Sequence, residues 1–194
     1  MESRNDSSRW MHPEGTREMV QNPVTQIEPG IASRLSKQRY QLVGSHGGVK
    51  VCHWTKESLV NDRSCYKGTF YGIESHSCVQ ASPTVDQCNL GCVYCWREPH
   101  APQLTKVEDD PYELYLESVR GHRRLLTGYG GNPKADPEKF LEAQNPKHMA
   151  ISLNGEPTLY SRLGEFLDIC HQHGTSTFLV TNGSLPKVIE ELDP

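Results

Sequence analysis

The sequence contains no long apolar run. None of its 194 residues belongs to a stretch approaching the roughly 18 apolar residues that a membrane-spanning helix requires. The first residues, 1–15, lack the apolar centre of a secretory signal peptide. A positive excess is also absent, because the formal net charge is −4. These absences exclude a membrane span and a generally basic, histone-like nucleic-acid binder, and they predict a cytoplasmic protein without membrane partners.

Cysteine, in contrast, is abundant for a chain expected in a reducing compartment. Six of the seven cysteines fall between Cys52 and Cys95. Disulfides are rare where thiols stay reduced, so metal ligation is the preferred explanation for this group. The seventh, Cys170, lies in a helical pattern, and we interpret it as a buried free thiol.

The sequence pattern changes twice along the chain. Residues 1–37 mix Ser, Asn, Pro, Glu and Arg without periodicity, which predicts a mostly disordered tail. Residues 38–78 contain short β-like runs, YQLVG and GVKVCHW, broken by Gly and Ser, and predict a small cysteine-bearing segment. Residues 79–194 show a clearer alternation of strands and helices.

This alternation predicts an α/β fold. Apolar runs indicate strands at residues 79–84, 149–153 and 177–181, and amphipathic patterns indicate helices at 111–126, 159–171 and 185–192. Asp109 or Asp110 is the expected N-cap of the first of these helices. Strands that alternate with helices predict βαβ units and a parallel sheet. Three such units make about half of a (β/α) barrel, so we expect residues 79–194 to form an incomplete barrel.

The segment Cys88-Asn-Leu-Gly-Cys92-Val-Tyr-Cys95 is a C-x3-C-x2-C motif directly after a predicted strand. Three thiolates in one tight loop can ligate three irons of a 4Fe–4S cluster, whereas such clusters usually have four cysteine ligands. S-adenosylmethionine (SAM) can chelate the open iron through its amino and carboxylate groups. The spacing therefore indicates radical SAM chemistry, in which the cofactor makes a 5′-deoxyadenosyl radical and the protein holds and orients it.

A zinc site is the alternative for these cysteines. Structural zinc sites favour paired C-x2-4-C elements and four ligands. The sequence has no second C-x2-C element, although Cys78 or a histidine could supply the fourth ligand. The spacing favours an iron–sulfur cluster and leaves zinc open.

Two polar motifs follow the next two predicted strands. Residues 152–157 (SLNGEP) end the first of these, where radical SAM enzymes place a Gly–Glu pair facing the SAM ammonium, and Gly155 and Glu156 match that pair. Residues 181–183 (TNG) end the second, so Asn182 can contact the ribose or carboxylate of SAM. Each motif alone is also compatible with a solvated turn. Together they lie at the strand ends where parallel barrels place their chemistry.

The cysteines upstream make a family resemblance specific. The runs VCHWTK (51–56), CYK (65–67) and FYGI (70–73), followed by Cys78 and the C-x3-C-x2-C motif, resemble the 4-demethylwyosine synthases. These are radical SAM enzymes of wybutosine-type tRNA modification. The resemblance covers about residues 38–194 and is to the archaeal form, which has no flavodoxin-like domain ahead. It implies a whole radical SAM barrel, so we expect the chain to be truncated at its C-terminus.

The resemblance implies a reaction and its cofactors. The family binds two 4Fe–4S clusters and SAM, and it condenses carbons of pyruvate with N1-methylguanosine at position 37 of phenylalanine tRNA. The product, 4-demethylwyosine, has a third ring, and the enzyme class is a carbon–carbon lyase. The expected partners are this tRNA, pyruvate and an electron donor such as ferredoxin or flavodoxin, and a monomer is expected.

The resemblance also assigns residues. Successive members of the set Cys52, Cys65 and Cys78 are separated by twelve residues, and the family's second cluster uses three cysteines ahead of the radical SAM triplet in this way. Lys67 matches the family's candidate for a lysine that forms an imine with pyruvate, while a surface lysine is the alternative. Tyr94 is expected along the SAM adenine, or else it packs the loop.

Two rival functions stay open from the sequence. One is a radical SAM enzyme acting on a peptide or small molecule, with the extra cysteines serving electron transfer. The other is a zinc-stabilised RNA-binding module. Iron–sulfur absorbance of anaerobically purified protein separates the first from the second, and the iron content separates one cluster from two.

Overall fold

A computed structural model describes residues 25–95 and 105–192 of the chain. Five strands form one sheet in sequence order: β1 (Gln41–Val43), β2 (Gly47–Lys50), β3 (Cys78–Ser82), β4 (His148–Ile151) and β5 (Ser176–Leu179). The pairs β1–β2 and β2–β3 are antiparallel, whereas β3, β4 and β5 run parallel. The two antiparallel strands therefore extend the sheet of the parallel unit, and they are not a separate layer.

Seven α-helices accompany this sheet in the described part of the chain. They are α1 (Pro29–Lys37), α2 (His53–Asn61), α3 (Tyr66–Tyr71), α4 (Pro111–Leu126), α5 (Pro137–Ala143), α6 (Leu163–Gln172) and α7 (Pro186–Glu190). Helices α4 and α5 connect β3 to β4, and α6 connects β4 to β5. The predicted α/β class and partial (β/α) barrel are confirmed. None of the described helices is long and apolar enough to span a membrane.

Helix α4 begins and ends where the sequence predicts. Its N-cap is Asp110, whose carboxylate accepts hydrogen bonds from the backbone N–H groups of Tyr112 and Glu113, both at 3.1 Å. Pro111 occupies the first turn, where a helix needs no backbone donor. The other strands and helices predicted within residues 79–194 are also present, with ends shifted by a few residues.

The core lies between the sheet and helices α4 and α6. Alternate residues of β3 and β4 are buried there with side chains of both helices: Val79, Ala81, Met149, Ile151, Leu114, Val119, Phe166 and Leu167. Cys170 belongs to the same cluster and is a free thiol, which confirms its interpretation. Because neighbouring residues of a strand point to opposite faces, the intervening residues of β3 and β4 face away from these helices.

The N-terminal tail is more ordered than the sequence indicates. Residues 1–24 lie outside the described residues, so disorder there stays a prediction. For residues 29–37 the prediction is wrong, because they form helix α1. Ile31 and Leu35 of this helix are buried against Tyr40, Val85 and Leu153. Tertiary burial of an apolar stripe stabilises a helix that its composition alone does not reveal.

The run GVKVCHW also differs from its prediction. Its first half forms β2, but the strand ends at Lys50, and Cys52 is the N-cap of helix α2, which begins at His53. The β-propensity of Val51 and Trp54 is overridden by the chain's turn away from the sheet. The division into segments 38–78 and 79–194 stays a prediction, and β1 and β2 share the sheet of β3.

Candidate functional site

Three loops leave the same edge of the parallel strands. The cysteine loop follows β3, the Gly–Glu loop follows β4, and the Thr–Asn–Gly loop follows β5. The strands are aligned in register, with Ala81 opposite Ile151 and Ile151 opposite Leu179. The structure therefore brings the three motifs singled out in the sequence to one edge of the sheet, the carboxyl edge where parallel barrels carry out their chemistry.

Glu156 connects the loop after β4 to the loop after β5. Its side chain is almost completely buried, with 2% of its surface exposed. Oε1 accepts hydrogen bonds from the hydroxyls of Thr158 and Thr181, each at 2.6 Å, and Oε2 accepts one from the backbone N–H of Asn182 at 2.7 Å. A buried carboxylate needs such partners. Glu156 thus fixes the position of Asn182 relative to β4.

Gly155 lets the loop after β4 approach the chain that leads into the cysteine loop. Its φ is +81°, and a Cβ atom built on it would lie 1.7 Å from the carbonyl oxygen of Thr84. The two segments are joined there: the Glu156 N–H donates to the carbonyl of Gln87 at 2.8 Å, and the Thr84 hydroxyl donates to the carbonyl of Glu156 at 2.9 Å. Only glycine combines this conformation with this approach.

A polar network supports the segment that ends at Cys88. His46 Nδ1 lies 3.0 Å from the carboxylate of Asp86, and His46 Nε2 lies 3.0 Å from the hydroxyl of Thr105. Gln87 Nε2 donates to the Thr105 hydroxyl at 2.8 Å, and Gln87 Oε1 accepts from the Thr105 N–H at 2.9 Å. No local motif indicates this network, because His46 and Thr105 are 59 residues apart.

The cysteine loop itself is open to solvent. Cys88 and Cys92 are half-buried, Cys95 is exposed, and none of the three forms a disulfide. The Cys95 N–H donates to the carbonyl of Cys92 at 3.0 Å, so the loop turns at its end. Tyr94 is 81% exposed, and a hydrogen bond with Cys92 raises the pKa of its phenol. Three accessible soft thiols are a donor set that fits an iron–sulfur cluster.

Asn182 reaches this loop from the end of β5. Its Nδ2 lies 3.0 Å from Oδ1 of Asn89 and 3.8 Å from Sγ of Cys88. Asn89 in turn donates through Nδ2 to the hydroxyl of Ser184 at 2.8 Å. The structure therefore places Asn182, predicted from the sequence as a SAM contact, directly against a predicted cluster ligand.

The second group of cysteines lines one cavity. Cys52 is the N-cap of α2, Cys65 is the N-cap of α3, and Cys78 is the first residue of β3. All three line a cavity of about 140 Å³, together with Gln80 and other residues that face away from α4 and α6. Three separate elements thus converge on one cavity, and the cysteines that line it are those to which the family resemblance assigns a second cluster.

The surroundings of these thiols shift their pKa values in opposite directions. Burial raises the pKa of Cys78 to about 11, Cys52 and Cys65 add to the rise, and the charge of Lys67 opposes it. The pKa of Cys65, in contrast, is lowered. Burial raises it, but a hydrogen bond from the Ser75 hydroxyl, hydrogen bonds from backbone N–H groups and the charge of Lys67 together lower it by more. Positive charge in this cavity, from Lys67 or from metal ions, favours the thiolates.

Lys67 projects into the same cavity. It lies on α3, two residues after Cys65, and it is half-buried. Its Nζ lies 4.9 Å from the centre of the Phe178 ring, which belongs to β5. Lys67 therefore lines the same cavity as the three cysteines, with its amine against a residue of β5.

The two cysteine groups lie at opposite ends of strand β3. Cys78 begins the strand, and the chain continues from Ser82 to the loop of Cys88. At roughly 3.3 Å per residue, the strand between Cys78 and Ser82 is about 13 Å long. Gln80 and Ser152 lie between the two ends, with Gln80 Nε2 3.4 Å from the Ser152 carbonyl. Strand β3 therefore separates Cys78 from the loop that carries Cys88.

The three sulfurs of either cysteine triplet do not all lie within 4.8 Å of one another. Among the described residues, the three ligand atoms that do so belong to Glu74, His76 and Glu142. Three thiolates on one tetrahedral zinc lie about 3.8 Å apart, given Zn–S bonds of about 2.3 Å. Neither described triplet has this spacing.

Comparison with known proteins agrees with these features. The family model of the Radical SAM superfamily matches residues 82–194. The S-adenosyl-L-methionine-dependent tRNA 4-demethylwyosine synthase of Pyrococcus horikoshii is 47% identical over 165 residues, covering 84% of this chain and 48% of that protein. The corresponding TYW1 protein of Mus musculus is 41% identical over 194 residues, covering 94% of this chain and 27% of that protein. The chain thus spans half or less of the length of these curated relatives.

Two solved structures are similar to the chain. The structure of TYW1 with a lysine-pyruvate adduct bound has a TM-score of 0.81 and 44% sequence identity, and the match covers 87% of this chain and 56% of that chain. The crystal structure of archaeal TYW1 has a TM-score of 0.74 and 41% identity, covering 87% of this chain and 57% of that one. The shared region includes most of the described residues.

Proposed function

The chain belongs to the radical SAM superfamily and, within it, to the tRNA 4-demethylwyosine synthase family, and we propose that it carries the SAM site and the pyruvate site of such an enzyme. The proposed reaction condenses carbons of pyruvate with N1-methylguanosine at position 37 of phenylalanine tRNA and yields 4-demethylwyosine, a carbon–carbon lyase reaction. The observation that carries the proposal is the meeting of Lys67 with Cys52, Cys65 and Cys78 in one cavity.

For the first site, we propose that Cys88, Cys92 and Cys95 hold a 4Fe–4S cluster whose open iron takes SAM. When bound, cluster and SAM supply the 5′-deoxyadenosyl radical. The chain's own contribution is a fixed loop, because the contacts of Gly155 and Glu156 hold its entry segment against the loop after β4.

We propose the remaining SAM contacts from where four residues lie around the cysteine loop. Within the described part of the chain, Oε2 of Glu156 accepts one hydrogen bond, from the Asn182 N–H, and a further lone pair can accept from the SAM ammonium. Gly155 adjoins it on the same loop. The exposed ring of Tyr94 is available to stack on the adenine. Asn182 lies beside the cysteine loop, and we propose that it contacts the ribose or the carboxylate of SAM.

For the second site, we propose that Cys52, Cys65 and Cys78 hold a second 4Fe–4S cluster and that Lys67 binds pyruvate covalently beside it. The Lys67 amine attacks the ketone carbon of pyruvate and forms an imine with loss of one water, which fixes the substrate's position. Two observations support this: the half-buried position of Lys67 in the cavity, and the lysine-pyruvate adduct in a structure that is 44% identical.

We also propose the partners of the reaction, the compartment and the oligomeric state of the protein. The partners are phenylalanine tRNA with N1-methylguanosine, pyruvate, and an electron donor of the ferredoxin or flavodoxin type, and the protein acts as a cytoplasmic monomer. The names of the relatives favour tRNA over the rival peptide or small-molecule substrate. The match to the Radical SAM superfamily favours an iron–sulfur cluster over the rival zinc-stabilised RNA-binding module.

The experiment compares the parent protein with Lys67→Arg and with Lys56→Arg. Each full-length protein is reconstituted anaerobically and incubated with SAM, dithionite, labelled pyruvate and N1-methylguanosine-containing phenylalanine tRNA. Arginine keeps the positive charge near Phe178 but cannot readily form an imine with a ketone. Lys56 lies on α2, outside the residues that line the cavity, and is the matched control.

We expect the parent and Lys56→Arg proteins to form 4-demethylwyosine, detected by mass analysis of nucleosides, and to retain pyruvate label after borohydride reduction. Lys67→Arg should lose at least a hundredfold in product, and all borohydride-dependent label, while its iron content and SAM binding are unchanged. Equal labelling and turnover in the two lysine variants would show that Lys67 is a bystander. A parent protein that cleaves SAM but leaves the tRNA unmodified would point to the rival substrate.

A further inference from the structure

The hydrogen bonds around Asn182 fix the orientation of its side-chain amide. The backbone N–H of Ser184, which can only donate, lies 2.9 Å from the atom assigned as Oδ1 of Asn182. An oxygen is required at that position, because an NH2 group there would place two donors against each other. The other atom of the amide, which faces Cys88 and Asn89, is therefore the nitrogen.

This nitrogen has two protons and two acceptors. One acceptor is Oδ1 of Asn89 at 3.0 Å, and the other is Sγ of Cys88 at 3.8 Å. The nitrogen of Asn182 in turn orients Asn89, because the Asn89 atom that faces it must be an acceptor, and the Asn89 Nδ2 is then free to donate to the Ser184 hydroxyl at 2.8 Å. The two N–H groups of the Asn182 amide are therefore directed to Asn89 and to the sulfur of Cys88.

The backbone of Asn182 is held independently of this contact. Its N–H donates to Oε2 of Glu156 at 2.7 Å, and the neighbouring Thr181 hydroxyl donates to Oε1 at 2.6 Å. Glu156 is itself buried and anchored to the segment before Cys88 through the carbonyl of Gln87. The backbone of Asn182 is thus held by Glu156, which lies outside the cysteine loop, and this places the side-chain amide beside Cys88.

We propose that Asn182 is a positioning residue that donates a hydrogen bond to the Cys88 thiolate and thereby raises the reduction potential of the cluster on Cys88, Cys92 and Cys95. A donor to a ligand sulfur stabilises the negative charge that the cluster gains when it is reduced. The inference rests on the proposed cluster, and it gives Asn182 a function besides any contact with SAM. It concerns how readily the cluster accepts the electron that SAM cleavage needs.

The test measures the midpoint potential of this cluster in the whole, reconstituted protein. The cluster is identified as the one whose electron paramagnetic resonance signal changes when SAM is added, and its potential is then titrated without SAM. The variants are Asn182→Ala, which removes the donor, Asn182→Asp, which replaces it by a carboxylate oxygen, and Asn182→Ser, which restores a shorter donor. Ser184→Ala is the control, because it removes a partner of Asn89 and leaves the amide of Asn182 in place.

We expect more negative potentials for Asn182→Ala and, to a greater extent, for Asn182→Asp, an intermediate value for Asn182→Ser, and the parent value for Ser184→Ala. The iron content should be equal in all of them. Equal potentials in the parent and Asn182→Ala would overturn the inference and leave the cluster assignment intact, since a residue that only contacts SAM causes no shift without SAM. A parent protein without a SAM-responsive signal would instead overturn the cluster assignment on which the inference rests.

Discussion

At the scale of single residues, Gly155 controls how closely two loops of the site approach each other. Its φ of +81° is unfavourable for any residue with a side chain, and its Cα faces the carbonyl of Thr84. The cysteine loop begins only four residues beyond Thr84, at Cys88. A change at Gly155 is therefore transmitted through main-chain contacts to the segment that leads to Cys88, a proposed cluster ligand.

We predict that Gly155→Ala destabilises the protein and impairs cluster binding. The added methyl group meets backbone atoms that cannot rotate away, so the cost in free energy of unfolding should be at least about 2 kcal/mol. The matched control is Gly131→Ala, where a Cβ atom meets nothing within 4 Å and φ is not positive. Urea unfolding and iron per chain are measured for both variants. Parent-like stability and iron content in Gly155→Ala would refute this role of the glycine.

At the scale of elements, the second cysteine group depends on where α2, α3 and β3 begin. Cys52, Cys65 and Cys78 occupy the first or N-cap position of these three elements. Two contacts at these positions use main-chain atoms of the cysteines: the Thr55 hydroxyl donates to the Cys78 carbonyl at 3.3 Å, and the Cys65 N–H donates to the Ser75 hydroxyl at 3.0 Å. Replacing the thiols should leave these bonds in place.

The triple variant Cys52→Ala, Cys65→Ala and Cys78→Ala tests whether this group holds its own cluster. We expect about half of the parent's iron and retained SAM binding, because the loop of Cys88 lies at the other end of β3. Iron is determined chemically, and SAM binding by equilibrium dialysis. An iron content equal to the parent's would show that these cysteines are structural thiols.

Helices with a start signal and a long amphipathic pattern could be predicted, whereas a short helix in a polar segment was missed. Helix α4 has an Asp-Pro start and sixteen residues, so its bounds follow from the sequence, with Asp109 or Asp110 as the expected cap. Helix α1 also begins with a cap, Glu28, and a proline, and it buries Ile31 and Leu35, but its nine residues follow a polar tail whose composition predicts disorder. Helix α2 was missed because Val51 and Trp54 have high β-propensity.

The candidate site likewise has residues that the sequence reveals and contacts that it does not. The cysteines, Gly155, Glu156 and Asn182 were identified because short motifs with fixed spacing carry their chemistry. The network of His46 and Thr105 was missed, since it joins residues 59 positions apart that have no motif of their own. The contact of Asn182 with Cys88 was also missed, because a sequence places both at one sheet edge but does not orient an amide.

At the scale of the whole molecule, one sheet carries both proposed sites. The loop of the radical SAM motif leaves the carboxyl edge of the parallel strands, and the cavity with Lys67 lies on the sheet face that α4 and α6 do not cover. Strand β3 belongs to both sites, with Cys78 at its start and the Cys88 loop beyond its end. The proposed radical source lies at the edge of this sheet, and the Lys67 amine of α3 lies against Phe178 of β5, so the sheet relates the two positions, as a positioned reaction requires.

The central claim of this account is that Cys88, Cys92 and Cys95 hold a cluster that cleaves SAM. Release of 5′-deoxyadenosine from the anaerobically reduced protein tests it most directly, because this product requires electron transfer to SAM. We predict release by the parent protein and by Cys170→Ala, whose thiol is buried in the core, and none above background by Cys88→Ala, Cys92→Ala or Cys95→Ala. Release at the parent rate in any of the last three variants, or no release by the parent, would contradict the claim.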